Sequence, residues 1–384
     1  MRRRSCLAAI TAWVTLPAVA WSQGADGTGA QPAMISVTDL AGRQVKVRAP
    51  VKRVLLGEGR LLHLFAALDN KALLDRIAAW RNDMIQDDPA SYRQYLAAFP
   101  KLAQIPRFGG NEGSIIDIER AIVQNLDAVI LNIETKRSME DAGYIEKLAA
   151  LDIPTIYVDF RHDPVANTEP TIRLLGTLLG RQDRAEKIIA FRNEQLRRVS
   201  DVIAARAPQR PRVFIERMGG FTDDCCLSFG DGNFGRFVDM AGGSNIAKGL
   251  IPATFGQLNP EQVIAADPDH VIITSADWQA HVPGGHWIAL GPGSDAAEAR
   301  RKLAWFTARP AYTDIKAQKR RAFCGIWHQF YNSPYDFVAV QRLAKWFHPS
   351  LFADLDPDVT FRAFHERFLP VDYRPGYWVS LEEL

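Results

Sequence analysis

The sequence lacks a strong bias of any kind, and each absence removes a class of protein. Its 384 residues include 46 basic and 44 acidic side chains, which leave a formal charge of +2. This balance excludes a polybasic protein that coats nucleic acid or an anionic membrane. Glycine and proline number 27 and 22, close to average usage, so the chain is neither fibrous nor of low complexity. The length instead indicates about two globular domains.

Long apolar runs are also scarce, and the longest lies near the N-terminus. Residues 1–22 begin with Arg2, Arg3 and Arg4 and continue with an uncharged stretch from Leu7 to Val19. A basic start, an apolar stretch and small residues at its end are typical of a cleavable export signal. The stretch is too short to span a bilayer of about 30 Å. We therefore predict that residues 1–22 are a signal peptide and that the mature protein is exported.

Cysteine is rare, and the few cysteines leave their pairing open. One of the four cysteines lies in the predicted signal, which leaves Cys225, Cys226 and Cys324 in the mature chain. An exported protein permits a disulfide between Cys324 and one of the adjacent pair. The alternative is that some or all of the three are buried thiols. Three cysteines supply too few ligands at suitable spacing for a metal site, and none is predicted.

Motifs of common enzymes are missing as well. The chain contains no G-x-x-x-x-G-K-[ST], no G-x-S-x-G and no H-E-x-x-H. Residues 230–235 match G-x-G-x-x-G, but a dinucleotide site needs a strand directly before this segment and an acidic residue about 20 positions later. The sequence predicts neither. We therefore predict no catalytic residues, and an exported enzyme with an unrecognised site remains an alternative.

What the sequence does contain is a repeated alternation of buried strands and helices. Short apolar runs rich in strand formers are separated by helical patterns, and they lie at residues 53–56, 128–131, 155–158, 212–215, 270–273 and 322–326. This alternation is typical of an α/β fold with mostly parallel sheets. Residues 34–48 alternate apolar and polar positions around Ala41 and Gly42, which predicts a hairpin.

Residues 165–207 contain no strand pattern and predict a helical segment in the middle of the chain. Helix-forming residues run from Asp183, a predicted N-cap, to Arg206, which precedes Pro208. About 23 helical residues would extend roughly 35 Å, enough to connect two lobes. We predict an N-terminal lobe at residues 33–164 and a C-terminal lobe at 208–384.

The two halves share one pattern in particular. Glu119 precedes Asp127 and a buried strand at the same spacing with which Glu261 precedes Asp269 and a buried strand. In the second half Asn259 predicts the start of the helix, with proline at the next position. Helix-start chemistry alone explains an acidic residue there, but its repetition suggests a further role for the two glutamates.

Several segments, taken in order, resemble a known family. They are the hairpin with residues 50–57, the two glutamate segments at 119–130 and 261–273, the Ala-Gly-Gly-Ser-Asn-Ile-Ala run at 241–247, and residues 327–334 and 348–352. Together they resemble the periplasmic substrate-binding proteins of ABC importers for iron–siderophores, haem and vitamin B12, over residues 35–380. The resemblance implies an α/β fold of two lobes, each with a central, mostly parallel sheet flanked by helices. It also implies that one long α-helix, the predicted segment above, bridges the lobes.

The resemblance implies a function as well. It predicts a periplasmic protein, taken to be a monomer that binds no nucleic acid and holds no covalent cofactor. The expected ligand is an Fe(III)–siderophore, with haem or cobalamin as alternatives, and it passes to an inner-membrane ABC permease. Glu119 and Glu261 match the positions at which glutamates of the family dock on permease arginines, and carboxylates suit this role because each accepts a bidentate arginine bond.

Ligand contacts are expected in the loops after the parallel strands, where ligands of α/β proteins lie. The candidates combine guanidinium and aromatic groups: Arg60, Arg81, Arg107, Arg217, Trp278, Trp327, His328 and Tyr331. Such a set suits an anionic chelate with flat or apolar faces, because arginine supplies charge and forked donors while the rings supply stacking area. His328 and Tyr331 keep haem open, since either residue type binds haem iron.

Overall fold

The computed structural model describes residues 32–109 and 125–382. The predicted signal peptide and Glu119 therefore lie outside the described residues. The strands are β1 Ala33–Thr38, β2 Gln44–Ala49, β3 Val54–Leu56, β4 Ile77–Arg81, β5 Arg107–Phe108, β6 Ala128–Asn132, β7 Thr155–Val158, β8 Arg212–Glu216, β9 Leu227–Phe229, β10 Ser244–Asn245, β11 Phe255–Gln257, β12 His270–Ser275, β13 Phe323–Trp327 and β14 Trp378–Ser380.

Short 3-10 turns and α-helices connect the strands. The helices are α1 Leu62–Asp69, α2 Asp83–Asp87, α3 Pro89–Ala98, α4 Lys136–Asp141, α5 Tyr144–Ala149, α6 Pro164–Leu179, α7 Gln182–Arg206, α8 Phe234–Met240, α9 Pro260–Ala266, α10 Ala296–Phe306, α11 Lys316–Lys319, α12 Asp336–Phe347 and α13 Pro357–Phe368. In the part of the chain that the structure describes, none of them has the length and apolarity to cross a membrane.

Strands β1 and β2 form the predicted antiparallel hairpin. The Asp39 carboxylate closes its turn by accepting hydrogen bonds from the backbone N–H groups of Ala41 and Arg43, each at 3.0 Å. Gly42 has a φ of 75°, which a side chain would disfavour at this tight position. The alternation of exposed and half-buried residues along both strands reflects one face packed on the protein and one on solvent.

Two five-stranded sheets form the body of the fold. The N-terminal sheet has the order β5-β4-β3-β6-β7, and all its strands are parallel. The C-terminal sheet has the order β10-β8-β12-β13-β14, and only β14 is antiparallel to its neighbour. The predicted α/β fold with mostly parallel sheets is therefore confirmed.

The central strands are buried along their whole length, as expected where helices cover both faces of a parallel sheet. In β3, Val54 and Leu56 belong to the main core, whereas Leu55 points to a second, smaller core. All six strands predicted from apolar runs are present to within two residues. Strands β4, β5, β9, β10, β11 and β14 were not predicted.

One aspartate clamps the start of the first strand in each sheet. The Asp127 carboxylate accepts hydrogen bonds from the backbone N–H groups of Lys52 at 2.7 Å and Arg53 at 3.0 Å, just before β3. The Asp269 carboxylate accepts one from the N–H of Arg212 at 2.9 Å, where β8 begins. The similarity of the two halves thus extends to individual hydrogen bonds.

Helix α7 is the predicted long helix and contains 25 residues. It begins two residues earlier than expected, with Arg181 as its N-cap, so Asp183 lies in the first turn and not at the cap. There its carboxylate is still favourable, because the N-terminal end of a helix carries partial positive charge. Contacts group Pro32–Leu384 into a single compact unit, and the lobe boundaries at 33–164 and 208–384 stay a prediction.

Helix α7 is fixed to the C-terminal half by a buried ion pair and an aromatic cluster. Arg192 donates two hydrogen bonds to the Asp336 carboxylate of α12, at 2.9 and 2.6 Å, and both side chains are buried. At the preceding position of α7, the Phe191 ring packs against the rings of Phe337 and Phe364, at centroid distances of 5.7 and 5.6 Å.

Candidate functional site

The carboxyl ends of the parallel strands bring loops from the two sheets together. Residues after β3, β6 and β7 contribute Glu58, Glu134 and Arg161, and residues after β8 and β13 contribute Arg217, His328 and Tyr331. We call Glu58, Arg60, Glu134, Arg161, Arg217, His328 and Tyr331 the intersheet cluster. Its position agrees with the rule that ligands of α/β proteins lie beyond the carboxyl ends of strands.

Arg60 is fully engaged by the protein itself. Its guanidinium donates hydrogen bonds to the carboxylates of Glu58 at 2.6 Å and Asp83 at 2.9 Å. It also donates to the side-chain oxygen of Gln329 at 2.9 Å and to the Tyr331 hydroxyl at 2.8 Å. With these four partners Arg60 connects the loops of the two sheets, and its predicted contact with a ligand stays a prediction.

Glu58 is the second centre of the intersheet cluster. Besides Arg60, its carboxylate accepts hydrogen bonds from the amides of Asn132 at 3.2 Å and Asn332. Burial alone raises the pKa of Glu58, but the guanidinium groups of Arg60 and Arg161 outweigh it and keep this pKa below its usual value. Glu58 therefore stays ionised and holds both arginines in place.

Arg161 lies between two carboxylates and an aromatic ring. Its guanidinium is 3.2 Å from the Glu134 carboxylate and 3.7 Å from that of Glu58. It also lies over the Tyr331 ring, 5.0 Å from the ring centroid. Arg161 was not predicted from the sequence, although it follows β7 by three residues and the rule that selected the other arginines applies to it.

Arg217 differs from the other two arginines, because it makes no ion pair with a described residue. Its guanidinium stacks over the Phe255 ring at 4.7 Å from the centroid. Its buried Nε atom has no hydrogen-bond partner among the described residues. Burial lowers the pKa of Arg217 below its ordinary value, and the nearby charge of Arg161 acts in the same direction. The charge of Arg217 is thus available to a ligand.

Aromatic side chains form the wall beside these charges. The His328 ring lies 4.4 Å from the Tyr331 ring and 5.6 Å from the Trp278 ring, centroid to centroid. Its Nδ1 atom shares a hydrogen bond of 2.9 Å with the Thr274 hydroxyl. Burial holds the pKa of His328 well below its usual value, and the charges of Arg217, Arg60 and Arg161 lower it further. The imidazole is therefore neutral.

The other three residues predicted to contact the ligand do not belong to the intersheet cluster. Trp327 is only 1% exposed and packs against the rings of His63 and Phe330, so it belongs to the core. Arg81 is half-buried at the end of β4 and acts electrostatically on Glu58. Arg107 is exposed on the edge strand β5. In the described ranges, no three His, Cys, Asp or Glu side chains are grouped as metal ligands.

A histidine–carboxylate pair links the two sheets beside the cluster. The His281 Nε2 atom lies 2.6 Å from the Asp87 carboxylate at the end of α2. The hydrogen bond to Asp87 raises the pKa of His281, while the charge of Arg60 opposes this. For Asp87, burial raises the pKa, but His281 and Arg60 together bring it below its usual value. The uncharged Phe221 ring faces His281 from the other side.

This pair should make stability depend on pH. Both side chains are charged at pH values between the lowered pKa of Asp87 and the raised pKa of His281. The stabilising contribution of the ion pair is therefore lost as pH rises through the pKa of His281. We expect the stability difference between wild type and His281→Asn to shrink by less than about 1 kcal/mol as pH rises from 6 to 9, because the pair is partly exposed. Denaturant unfolding at several pH values measures this difference. The same difference for His286→Asn, which removes a ring stacked on Trp305, should not follow that course.

Glu261 lies on the surface of the protein. It is exposed in the first turn of α9, which Pro260 begins. The side chain of Gln262 accepts a hydrogen bond from the Asn259 N–H at 2.9 Å and completes the cap, so the predicted helix start is confirmed. The equivalent residue Glu119 lies outside the described residues.

The cysteines pair in a way that the sequence left open. Cys225 and Cys226, which precede β9, are joined to each other by a disulfide. Cys324 is a free thiol buried in β13, and burial raises its pKa to about 12. The predicted alternative of a bridge from Cys324 to one of the adjacent pair is wrong, because Cys324 points to Ser380 of β14, with Sγ 3.6 Å from its hydroxyl oxygen.

Comparison with known proteins identifies the family. Residues 116–325 match the family described as periplasmic binding protein. The chain belongs to the periplasmic binding protein family. Periplasmic binding proteins of this kind serve ABC transporters as solute-binding proteins and are not enzymes, which confirms the predicted class. A search of curated proteins gives no match.

Solved periplasmic binding proteins share the fold over nearly the whole chain. The TroA-like periplasmic binding protein FepB from Veillonella parvula is 28% identical, with a TM-score of 0.80 over 91% of this chain and 100% of that one. The molybdate-binding MolA of Haemophilus influenzae is 17% identical, with a TM-score of 0.64 over 89% and 99%. A periplasmic heme-binding protein from Pseudomonas aeruginosa is 18% identical, with a TM-score of 0.56 over 78% and 94%. The shared fold thus accommodates ligands of different chemistry.

Proposed function

We propose that this periplasmic binding protein captures a ferric siderophore in a cleft at the intersheet cluster and delivers it to an inner-membrane ABC permease. The observation that carries the proposal is Arg217, a half-buried cation without an ionic partner among the described residues. An unpaired buried charge is costly unless a ligand neutralises it. The rings of Tyr331, His328 and Trp278 are at most 4% exposed and form a packed, uncharged wall. The half-buried Phe255 ring under Arg217 is the aromatic surface that can contact the organic part of a chelate.

Haem is the alternative ligand, because tyrosine and histidine can bind haem iron. The two candidates in this cleft are both engaged by protein groups. The Tyr331 hydroxyl accepts a hydrogen bond from Arg60, and His328 Nδ1 bonds with Thr274. Both side chains are at most 4% exposed. An axial bond to iron would require one of them to leave its partner, whereas an anionic chelate reaches Arg217 directly.

A titration tests the proposal. The purified mature protein is titrated with ferric siderophores of several classes, haemin and cobalamin, and binding is followed by tryptophan fluorescence and visible absorbance. Saturable binding of a ferric siderophore is the expected result. A Soret shift with haemin and no response to siderophores would replace the proposal with a haem receptor. No response to any of these ligands would indicate a solute outside these three classes.

Glu261 and Glu119 are proposed to dock on the permease. Glu261 is exposed, at the same distance in sequence from a clamping aspartate as Glu119. We expect Glu119→Ala/Glu261→Ala to reduce uptake of the iron chelate at least about ten-fold, because two bidentate arginine contacts are lost. Binding of the ligand by the purified variant should be unchanged. Glu366→Ala, at another exposed acid, is the matched control. Normal uptake by the double variant would contradict the docking role, and lost binding would indicate a role in the cleft or in folding.

A further inference from the structure

The pairing of the cluster arginines bears on the charge of the ligand. Arg60 is matched by Glu58 and Asp83, and Arg161 by Glu134 and Glu58. Arg217 makes no ion pair with a described residue, although the charge of Glu134 acts on it and opposes the lowering of its pKa by burial and by Arg161. The described part of the cluster therefore has one guanidinium to offer to an anionic ligand, although it contains three.

The same carboxylates would act against a highly charged ligand. The carboxylates of Glu58 and Glu134 both lie beside Arg161, and the Glu134 side chain is 25% exposed. A ligand with three negative charges that reaches Arg217 would also meet these carboxylates in a region of reduced dielectric constant. Like charges repel most strongly in such surroundings, where few water molecules screen them.

The remaining surface of the cluster is uncharged. His328, Tyr331 and Trp278 are packed against one another as a neutral wall with little exposed area, while the half-buried Phe255 ring lies under Arg217. Aromatic and neutral groups bind the apolar faces of a chelate and add nothing to the binding of its charge. Around the one arginine without an ion pair, the described cluster therefore offers neutral groups and no further positive charge.

We propose that the cleft selects ferric chelates with zero or one net negative charge, such as a ferric trihydroxamate, over trianionic ferric tricatecholates, and that Glu134 enforces this selectivity. The proposal rests on the proposed function of ferric siderophore capture and names the chelate class. In this arrangement Glu134 is the nearer of the two carboxylates that offset the charge of Arg161. Glu134 is thus a specificity-determining residue. A ligand with a single compact anionic group would bind to Arg217 through that group.

Dissociation constants of two chelates test the proposal. The mature protein is titrated with a neutral ferric trihydroxamate and with a trianionic ferric tricatecholate at the same ionic strength. We expect the trihydroxamate to bind at least about ten-fold more tightly. Glu134→Gln keeps the size of the side chain, removes its charge and leaves Arg161 with Glu58 as its one carboxylate neighbour in the described residues. It should improve tricatecholate binding roughly ten-fold relative to trihydroxamate binding, since a trivalent anion responds most to the lost charge.

Glu140→Gln is the matched control, because it changes the net charge of the protein equally from an exposed pair with Lys136. It should leave the ratio of the two dissociation constants unchanged. Equal or tighter binding of tricatecholate by wild type would overturn the inference, as would an equal effect of the two substitutions. Failure of every ferric chelate to bind would overturn the proposed function instead, so the two failures are distinguishable.

Discussion

Asp336→Ala is expected to cost about 3–5 kcal/mol of the free energy of unfolding, because it leaves the Arg192 guanidinium buried without its partner. Arg192 lies on α7 and is 4% exposed, and Asp336 on α12 is fully buried. Their two hydrogen bonds connect the long helix to the C-terminal half. Denaturant unfolding of the ligand-free protein measures the loss. A change below about 1 kcal/mol would show that the pair contributes no more than an exposed one.

Two controls distinguish the loss of an ion pair as such from the cost of leaving one buried charge without a partner. Glu140→Ala removes one partner of the exposed pair with Lys136 and should change the free energy of unfolding by less than about 1 kcal/mol. The double variant Arg192→Met/Asp336→Leu replaces both charges with apolar groups and should recover most of the stability lost in the single variant. Recovery is expected because burying two charges costs free energy that apolar side chains do not.

Arg217→Met is expected to weaken binding of the ferric ligand about 10- to 100-fold, the value of a charge-assisted hydrogen bond. Methionine retains an apolar stem over the Phe255 ring, so the substitution removes mainly the charge. The free energy of unfolding should stay the same or increase, because the ligand-free protein no longer buries an unpaired cation. Titration of the purified variant and thermal unfolding without ligand measure the two quantities.

Lysine at the same position tests the geometry of the contact. Arg217→Lys keeps a positive charge but loses the planar fork, so its dissociation constant should lie between those of wild type and Arg217→Met. Arg137→Met, at an arginine whose side chain is 93% exposed, serves as the control and should bind normally. An unchanged dissociation constant in Arg217→Met would remove this residue from the site. A large loss of stability would give it a structural role instead.

Much of the fold was predictable because burial leaves a clear trace in the sequence. Strands such as β6 and β12 are continuous runs of large apolar residues, and each begins within one residue of a clamping aspartate. Strand β4 was missed because Ala78 and Ala79 in its centre have low strand propensity. The start of α7 was misplaced by two residues, because Arg181 is a poor cap by composition and only its backbone conformation identifies it.

The sequence predicted which loops form the candidate site, but it did not predict which side chains pair with one another there. Arg60 and Arg217 are equivalent by residue type and by position after a strand. They differ because Arg60 meets Gln329 and Tyr331, which are 269 and 271 positions away in the sequence. Glu134 follows a strand as clearly as they do, but a search for an anion site gave no reason to single out an acid.

The aspartate clamps have a consequence for the rate at which the chain folds. Lys52 and Asp127 are 75 positions apart, and Arg212 and Asp269 are 57 apart, yet each pair joins the first strand of a sheet to a central neighbour. Closing loops of this length costs chain entropy before any strand contact compensates for it. The parallel sheets should therefore form late and slowly, after the local helices. A chain whose sheets form late stays unfolded for longer. Such a delay is compatible with passage across a membrane before folding.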